Sequence, residues 1–443
     1  MQTTVCQHPG LWSTPSFQAE SIGYKSLSPE ELAAAASYPP RIRGKDIPSS
    51  SIQPDKVFPA PLMLPGDALS SDPDERPQSL RSWLRSKYTN KVTDKRKVVY
   101  VAKPPGISTE DDYLTRWTRP SDNPKDQAPS PNTDHLMEYL AAFYYGMDIR
   151  PYTASLRFTA WDSTPAVKRA RKSARLTSVN VPKLVGLATD GEVFGIRARP
   201  CPDKTFAAQL NLNDLLDVAM AVLPSDAYAL VMIVEHDLYE DDDDDFACGR
   251  AFGASRICTV STARYNPSLD ILIGLDRSHA WPASHCQTYI GEICGVTGDD
   301  STMSSLAISA DNPLQAAVTA FSHYSEHSTE ILWLERVCRT ASHELGHCFG
   351  MEHCGFYACM MQGTSSIAED VRQPPYLCPI DSAEVLHALD CDGNARDKAI
   401  LDVCSKFGSS GGMFTAYAAW LQAVRSKSKQ SRSNPRKRSK IED

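Results

Sequence analysis

The 443-residue chain lacks any apolar run approaching the ~18–20 residues that a bilayer span needs, which excludes a helical integral membrane protein. Its first twelve residues, Met1 to Trp12, lack the basic-then-apolar order of a secretory leader, so the expectation is a protein that is not secreted. Internal repeats are missing, which sets aside solenoid architectures. Positive charge is in short supply: 46 Lys and Arg face 54 Asp and Glu, for a formal charge of −8. What there is collects at the C-terminus, where Arg425 to Asp443 hold eight basic and two acidic residues. The rest is therefore more acidic still, and such a body is a poor general binder of nucleic acid. Interleaved aromatic and basic residues, and a recognition-helix motif, are also missing. An even cysteine count is missing too. Thirteen cysteines without a leader argue against a disulfide scaffold and for reduced thiols in the cytoplasm or nucleus.

What is present is an ordinary soluble composition, with 42% hydrophobic and 23% charged residues and a mean hydropathy of −0.35. The length allows about two to four domains, or one domain with long flanks. Residues 1–131 contain 18 of the 31 prolines. Residues 1–55 read as a Pro/Ser-rich disordered arm with one short Ala-rich helix at Glu30 to Ala36. Residues 56–424 read as one folded domain, and 425–443 as a basic disordered tail in which Arg436-Lys437-Arg438 is compatible with nuclear import. Within the domain, Leu80, Trp83 and Leu84 have helical spacing and Val98 to Val101 form a strand. Ser108 to Pro131 reads as an exposed loop. Leu136, Tyr139, Leu140 and Phe143 mark a helix stopped at Gly146. Asp190-Gly191 predicts a hairpin between Leu184–Ala188 and Val193–Ala198. A helix over Asn211 to Leu223, a buried strand over Tyr228 to Val234, a strand over Ile257 to Thr262 and a long helix over Thr329 to Phe349 complete a mixed α/β class. The run Glu240 to Asp245 lacks the spaced ligands and turn glycine of a calcium loop and reads as a solvated, mobile loop.

The chemistry concentrates in His343-Glu344-Leu345-Gly346-His347-Cys348-Phe349-Gly350-Met351-Glu352-His353-Cys354. On a helix His343 and His347 lie one turn apart and about 40° apart around the axis, so both imidazoles can reach one ion. Ile331, Leu334, Val337, Cys338, Ala341, Leu345 and Phe349 supply the buried stripe of that helix. A continuing helix would rotate His353 by about 240° away from His347, so the chain must turn back between them. Gly350 is placed to make that turn. Three imidazoles suit zinc and leave a fourth position for water. Glu344, beside the first histidine, can take a proton from the attacking water and return it to the leaving amine. Cys348 reads as a packed thiol. Cys201 and Cys286 have no ligand spacing, and Cys6 is a lone cysteine in the arm.

HExxHxxGxxH is the metzincin signature, and its continuation narrows the match. Cys354 follows the third histidine directly, then come Cys359, Met360-Met361-Gln362-Gly363 and Pro374-Pro375-Tyr376-Leu377-Cys378-Pro379. This resembles the archaemetzincin family. Phe58 to Gly66 and Ser79 to Arg85 resemble segments of its fungal members. The specific likeness covers about 340–381, and a weaker one roughly 55–424. The resemblance implies a twisted sheet packed on a long active-site helix, with the zinc cleft beneath an edge strand that Ile257 to Thr262 would supply by analogy; the segment by itself reads equally as a plain buried strand. It also implies a zinc peptidase, aminopeptidase or endopeptidase, acting on peptides or proteins. His343, His347 and His353 would hold the catalytic zinc, Glu344 would be the base, and Met361 would form the floor below the metal. It further implies a second, Cys-rich zinc site at Cys354, Cys359 and Cys378. The family pattern ends in Cys-x-x-Cys, whereas this chain reads Cys378-Pro379-Ile380-Asp381. Asp381 as fourth ligand, replacement by Cys391 or His387, and loss of the second metal all remain open, as does Asp381 as a helix N-cap with Glu384 completing a capping box. Two other functions stay open from sequence: a zinc-retaining binding protein that does not cleave, and a nuclear interaction module using the basic tail.

Overall fold

The computed structural model describes residues 6, 8, 10–37, 57–71, 73, 77–121, 128–161, 181–296, 312–322, 328–408 and 412–433. Pro48 to Ser51 and Arg436 to Arg438 lie outside the described residues. The chain forms two compact units, each assembled from separated stretches, where one domain over 56–424 was expected. One unit comprises Tyr88–Gly274 and Leu332–Gly350; the other comprises Met1–Lys87, Leu275–Ile331 and Met351–Asp443. A unit that the chain leaves and re-enters has no compositional boundary, which is why sequence reading merges the two.

The first unit carries the strands β1 (Val98–Ala102), β2 (Gly106–Ile107), β3 (Asp148–Pro151), β4 (Arg157–Ala160), β5 (Leu184–Ala188), β6 (Val193–Pro200), β7 (Ala208–Asn211), β8 (Ala227–Val234), β9 (Asp237–Tyr239), β10 (Gly249–Phe252) and β11 (Ile257–Ser261). One sheet has the order β10-β11-β8-β1-β3. Its β3, β1, β8 and β11 run parallel, and β10 is added antiparallel at the edge. All eight residues of β8 are buried, as expected of a central parallel strand covered on both faces. The edge-strand expectation for Ile257 to Thr262 is corrected here: β11 is flanked by β8 and β10 and wholly buried, and β10 is the edge. Gly249 to Phe252 is too short and mixed to announce itself as a strand.

The second sheet has the order β2-β4-β5-β6-β7-β9. Its β5–β6 hairpin turns at Asp190-Gly191, closed by the Thr189 amide donating to the Glu192 carbonyl at 2.8 Å. The shared core joins Trp117, Phe158, Leu210, Leu216, Leu230 and Met232. Part of the segment expected as an exposed loop is ordered helix instead. Thr109–Thr118 buries Tyr113, Leu114 and Trp117, and the Asp111 carboxylate accepts from the Ala160 amide at 2.9 Å. A kink at Asp111 hides the periodicity in the sequence. The acidic run is also anchored: Arg199 donates to the carbonyls of Asp241, Asp242 and Asp244 and stacks over Tyr239.

The helix Thr329–Cys348 is buried on nearly every side, so its polar groups need partners. Arg336 makes a two-pronged ion pair with Asp270 at 2.8 and 2.6 Å. Trp333 Nε1 donates to the Thr262 carbonyl at 2.8 Å, and the Tyr144 hydroxyl donates to the Ser342 carbonyl at 2.6 Å. Tyr144 stacks on Phe349 at 5.0 Å, beside Tyr228.

The other unit is helical in its described parts. Gly412–Ser433 packs with Pro313–Ser322 and Gly393–Phe407. Tyr376 stacks on Trp420 at 4.2 Å, with Phe58 edge-on to both. The disorder expected over 1–55 does not hold where the arm is described. Leu11 and Trp12 are buried, and Trp12 packs with Leu62, Leu64 and Ile290. Phe17–Ser21 is capped by Ser16, and Pro29–Ala35 starts with a Ser28/Glu31 capping box. The basic tail likewise continues as helix to Ser433. No helix among the described residues is long and apolar enough to cross a membrane.

Candidate metal centres

In the first unit, the helix Thr329–Cys348 brings His343 and His347 to one face. Their Nε2 atoms lie 3.1 Å apart, with the rings at 84°. Two imidazoles on a tetrahedral zinc, at bond lengths of about 2.0–2.1 Å, hold their nitrogens about 3.3 Å apart. The facing pair therefore fits an ion at their convergence. Glu344 is 7% exposed and lies against the edge strand β10. A Cβ at Gly249 would stand 3.2 Å from both its Cγ and Oε1, so only a residue without a side chain leaves the carboxylate this room. Gly253, just beyond β10, touches the helix backbone; a Cβ there would meet the His347 carbonyl oxygen at 2.3 Å.

The helix stops as its motif requires. The Gly350 amide donates to the His347 carbonyl at 2.9 Å with φ +81°, and a Cβ at Gly350 would lie 2.9 Å from Thr89 Cα. Both the left-handed conformation and the close approach call for glycine. Asn90 Nδ2 then caps the exposed carbonyls, donating to Cys348 at 3.1 Å and Gly253 at 2.7 Å. Cys348 is buried, as expected of a packed thiol.

His353 belongs to the other unit, where its exposed ring lies over Gly363; a Cβ at Gly363 would stand 2.8 Å from His353 Nδ1. Met361 is fully buried, and its carbonyl accepts from the Cys354 amide at 2.8 Å.

The same unit gathers Cys354, Cys359, Cys378 and Asp381, all buried, with one ligand atom from each within 4.8 Å of every other. Cys354 Sγ and Cys378 Sγ are 3.7 Å apart. Zinc–sulfur bonds of about 2.3 Å in a tetrahedron predict about 3.8 Å between sulfurs. Cys359 Sγ donates to Asp381 Oδ2 at 2.8 Å. Burial pushes the Cys354 thiol up, but hydrogen bonds from Cys359, Cys378 and the Phe356 and Tyr357 amides outweigh it and hold it well below the usual thiol range. Burial raises Cys359, Cys378 and the Asp381 carboxyl well above theirs. A buried set of three sulfurs and a carboxylate is a donor set matched to a divalent ion.

The N-cap reading of Asp381 is corrected. The cap of Pro379–Leu389 is Cys378, whose sulfur accepts from the Asp381 amide, and Asp381 stands in the first turn with its carboxylate on Cys359. His387 stands edge-on to Trp83, and neither it nor Cys391 joins the four-residue group. Sequence reasoning missed Gly249, Gly253 and Gly363, whose role is room for another residue, and gave Glu384 a capping-box role where the structure buries it. Burial, then Cys354 and Glu352, raise the Glu384 carboxyl to about 9, and both its oxygens are buried without a hydrogen-bond partner.

Residues 306–385 match Peptidase family M54. The chain is 30% identical over 189 residues to human archaemetzincin-2, covering 43% of each chain. It is 34% identical over 67 residues to archaemetzincin of Thermococcus kodakarensis, covering 15% of this chain and 36% of that one. The matched regions thus span less than half the length of these relatives. A crystal structure of archaemetzincin from Methanopyrus kandleri aligns at TM-score 0.31 and 15% identity, covering 68% of this chain and 99% of the other. Over residues 306–385 the chain thus matches Peptidase family M54, and over less than half of its length it is similar to archaemetzincins.

Proposed function

We propose that the chain is a zinc-dependent peptidase cleaving peptide or protein substrates, with His343, His347 and His353 holding the catalytic ion and Glu344 as general base. The observation that carries this reading is the pair of imidazole nitrogens 3.1 Å apart with a carboxylate from the adjacent residue lodged beside an open strand edge. Zinc held by His343, His347 and His353 would polarise the scissile carbonyl and lower the pKa of water. Glu344 takes a proton from the attacking water and delivers it to the departing nitrogen. A carboxylate can do both because it is the conjugate base in the first step and the acid in the second. Among the described residues no strand pairs with the outer side of β10, which offers backbone donors and acceptors to an extended peptide that would pass Glu344 at Gly249. Cys354, Cys359, Cys378 and Asp381 would hold a second, structural zinc. None of the thirteen cysteines is in a disulfide, which suits a reducing compartment, cytoplasm or nucleus.

The test is incubation of the full chain with a diverse peptide library, read by mass spectrometry. Cleavage that stops with a zinc chelator and returns on adding zinc is expected. Zinc-loaded protein that cleaves nothing would leave a binding protein in its place.

A further inference from the structure

A second cluster of metal-ligating side chains lies outside both groups above. Cys6, His8, His279 and Cys286 each offer a ligand atom, all within 4.8 Å of one another. Cys6 Sγ and Cys286 Sγ are 3.7 Å apart, the same separation as Cys354 and Cys378 and close to the about 3.8 Å of two thiolates on tetrahedral zinc. The two histidines each leave one buried ring nitrogen without a hydrogen-bond partner, Nδ1 of His8 and Nε2 of His279. His279 is 8% exposed, so an unmet nitrogen there is costly. Its other nitrogen, Nδ1, is held by Asp276 Oδ2 at 2.5 Å, and its ring stacks on Tyr289 at 4.2 Å. A carboxylate on one ring nitrogen with the other directed at shared donors is the arrangement that orients metal-binding histidines.

We propose that Cys6, His8, His279 and Cys286 form a further zinc site that fastens the N-terminal arm to the segment 276–286. Two thiolates and two imidazoles are a complete tetrahedral donor set for zinc. Binding forms two sulfur–zinc and two nitrogen–zinc bonds and releases the two thiol protons to solvent. Backbone pairing already brings the ligands together. Leu11 bridges to Cys286, the Trp12 amide donates to the His285 carbonyl at 2.7 Å, and the Gln287 amide donates to the Gly10 carbonyl at 3.1 Å.

The test is zinc per chain in the full-length protein, measured by elemental mass spectrometry after desalting, for the wild type, Cys6→Ser and His8→Ala. Both changes lie in the peripheral arm, and circular dichroism checks that each variant folds. Each is expected to lose one zinc per chain. Asp276→Asn is expected to keep the site but weaken zinc affinity about 10- to 100-fold in a chelator competition. With cobalt(II) in place of zinc, Cys6→Ser should lower the thiolate charge-transfer band. Unchanged zinc content in both Cys6→Ser and His8→Ala, or a Cys6–Cys286 disulfide in a non-reduced peptide map, would overturn the proposal. A His347→Ala control, losing a different zinc, separates this result from the fate of the peptidase reading.

Discussion

Replacing Asp381 with alanine should cost the protein one zinc and much of the stability of its helical unit. Asp381 is 3% exposed and shares its site with three buried sulfurs. Removing it opens one of four ligand positions and leaves three buried sulfurs to hold the ion alone. Breaking a buried charge-paired group costs about 3–5 kcal/mol. For a unit of this size each kcal/mol moves the midpoint by about 2–4 °C, so Tm should fall on the order of 10 °C. The assay pairs zinc content with thermal unfolding at increasing free zinc. Wild-type Tm should climb by the equivalent of about 1.4 kcal/mol for each tenfold rise in zinc above Kd, while Asp381→Ala should respond only at much higher zinc. Asp381→Cys, which restores a thiolate at this position, should retain the ion. A variant with wild-type zinc content and wild-type Tm in Asp381→Ala would show that Asp381 is not a ligand.

Three further outcomes follow from single positions. Gly253→Ala should lower stability by about 1–3 kcal/mol in urea unfolding, because its Cβ would meet a backbone oxygen that cannot step aside at 2.3 Å. Gly363→Ala should leave the fold intact but turn the His353 ring and lower kcat/KM about 100-fold, the usual penalty for displacing a catalytic constellation by ~1 Å. His236 is fully buried, and burial depresses its pKa to about 4. The folded state therefore stays neutral while the unfolded chain takes up a proton near pH 6.5. Stability is fully present above about 6.5 and falls by about 1.4 kcal/mol per pH unit down to about 4. His236→Phe should remove that slope, and an unchanged pH profile in urea unfolding would contradict it.

The convergence of His343 and His347 was legible because helical spacing alone brings them to one face, and a single glycine suffices to end the helix. The elements β8, β5–β6 and Thr329–Cys348 were legible because their apolar patterns are long. The four-residue Cys/Asp group could be anticipated only through family likeness, since Cys378 lies 24 residues from Cys354. Cys6 and Cys286 were opaque, being separated by 280 residues with no local spacing to link them. The edge strand was misplaced by one strand because β10 has only four half-buried residues and no alternation. Gly249 and Gly363 were invisible because what they contribute is the space taken by Glu344 and His353.

The most direct measurement compares peptide-library cleavage and zinc content for the wild type and Glu344→Ala, prepared in parallel. The account predicts zinc retained in both and cleavage lowered at least about 100-fold in the variant, the contribution expected of a positioned general base. Near-wild-type cleavage by Glu344→Ala, with its zinc in place, would contradict it.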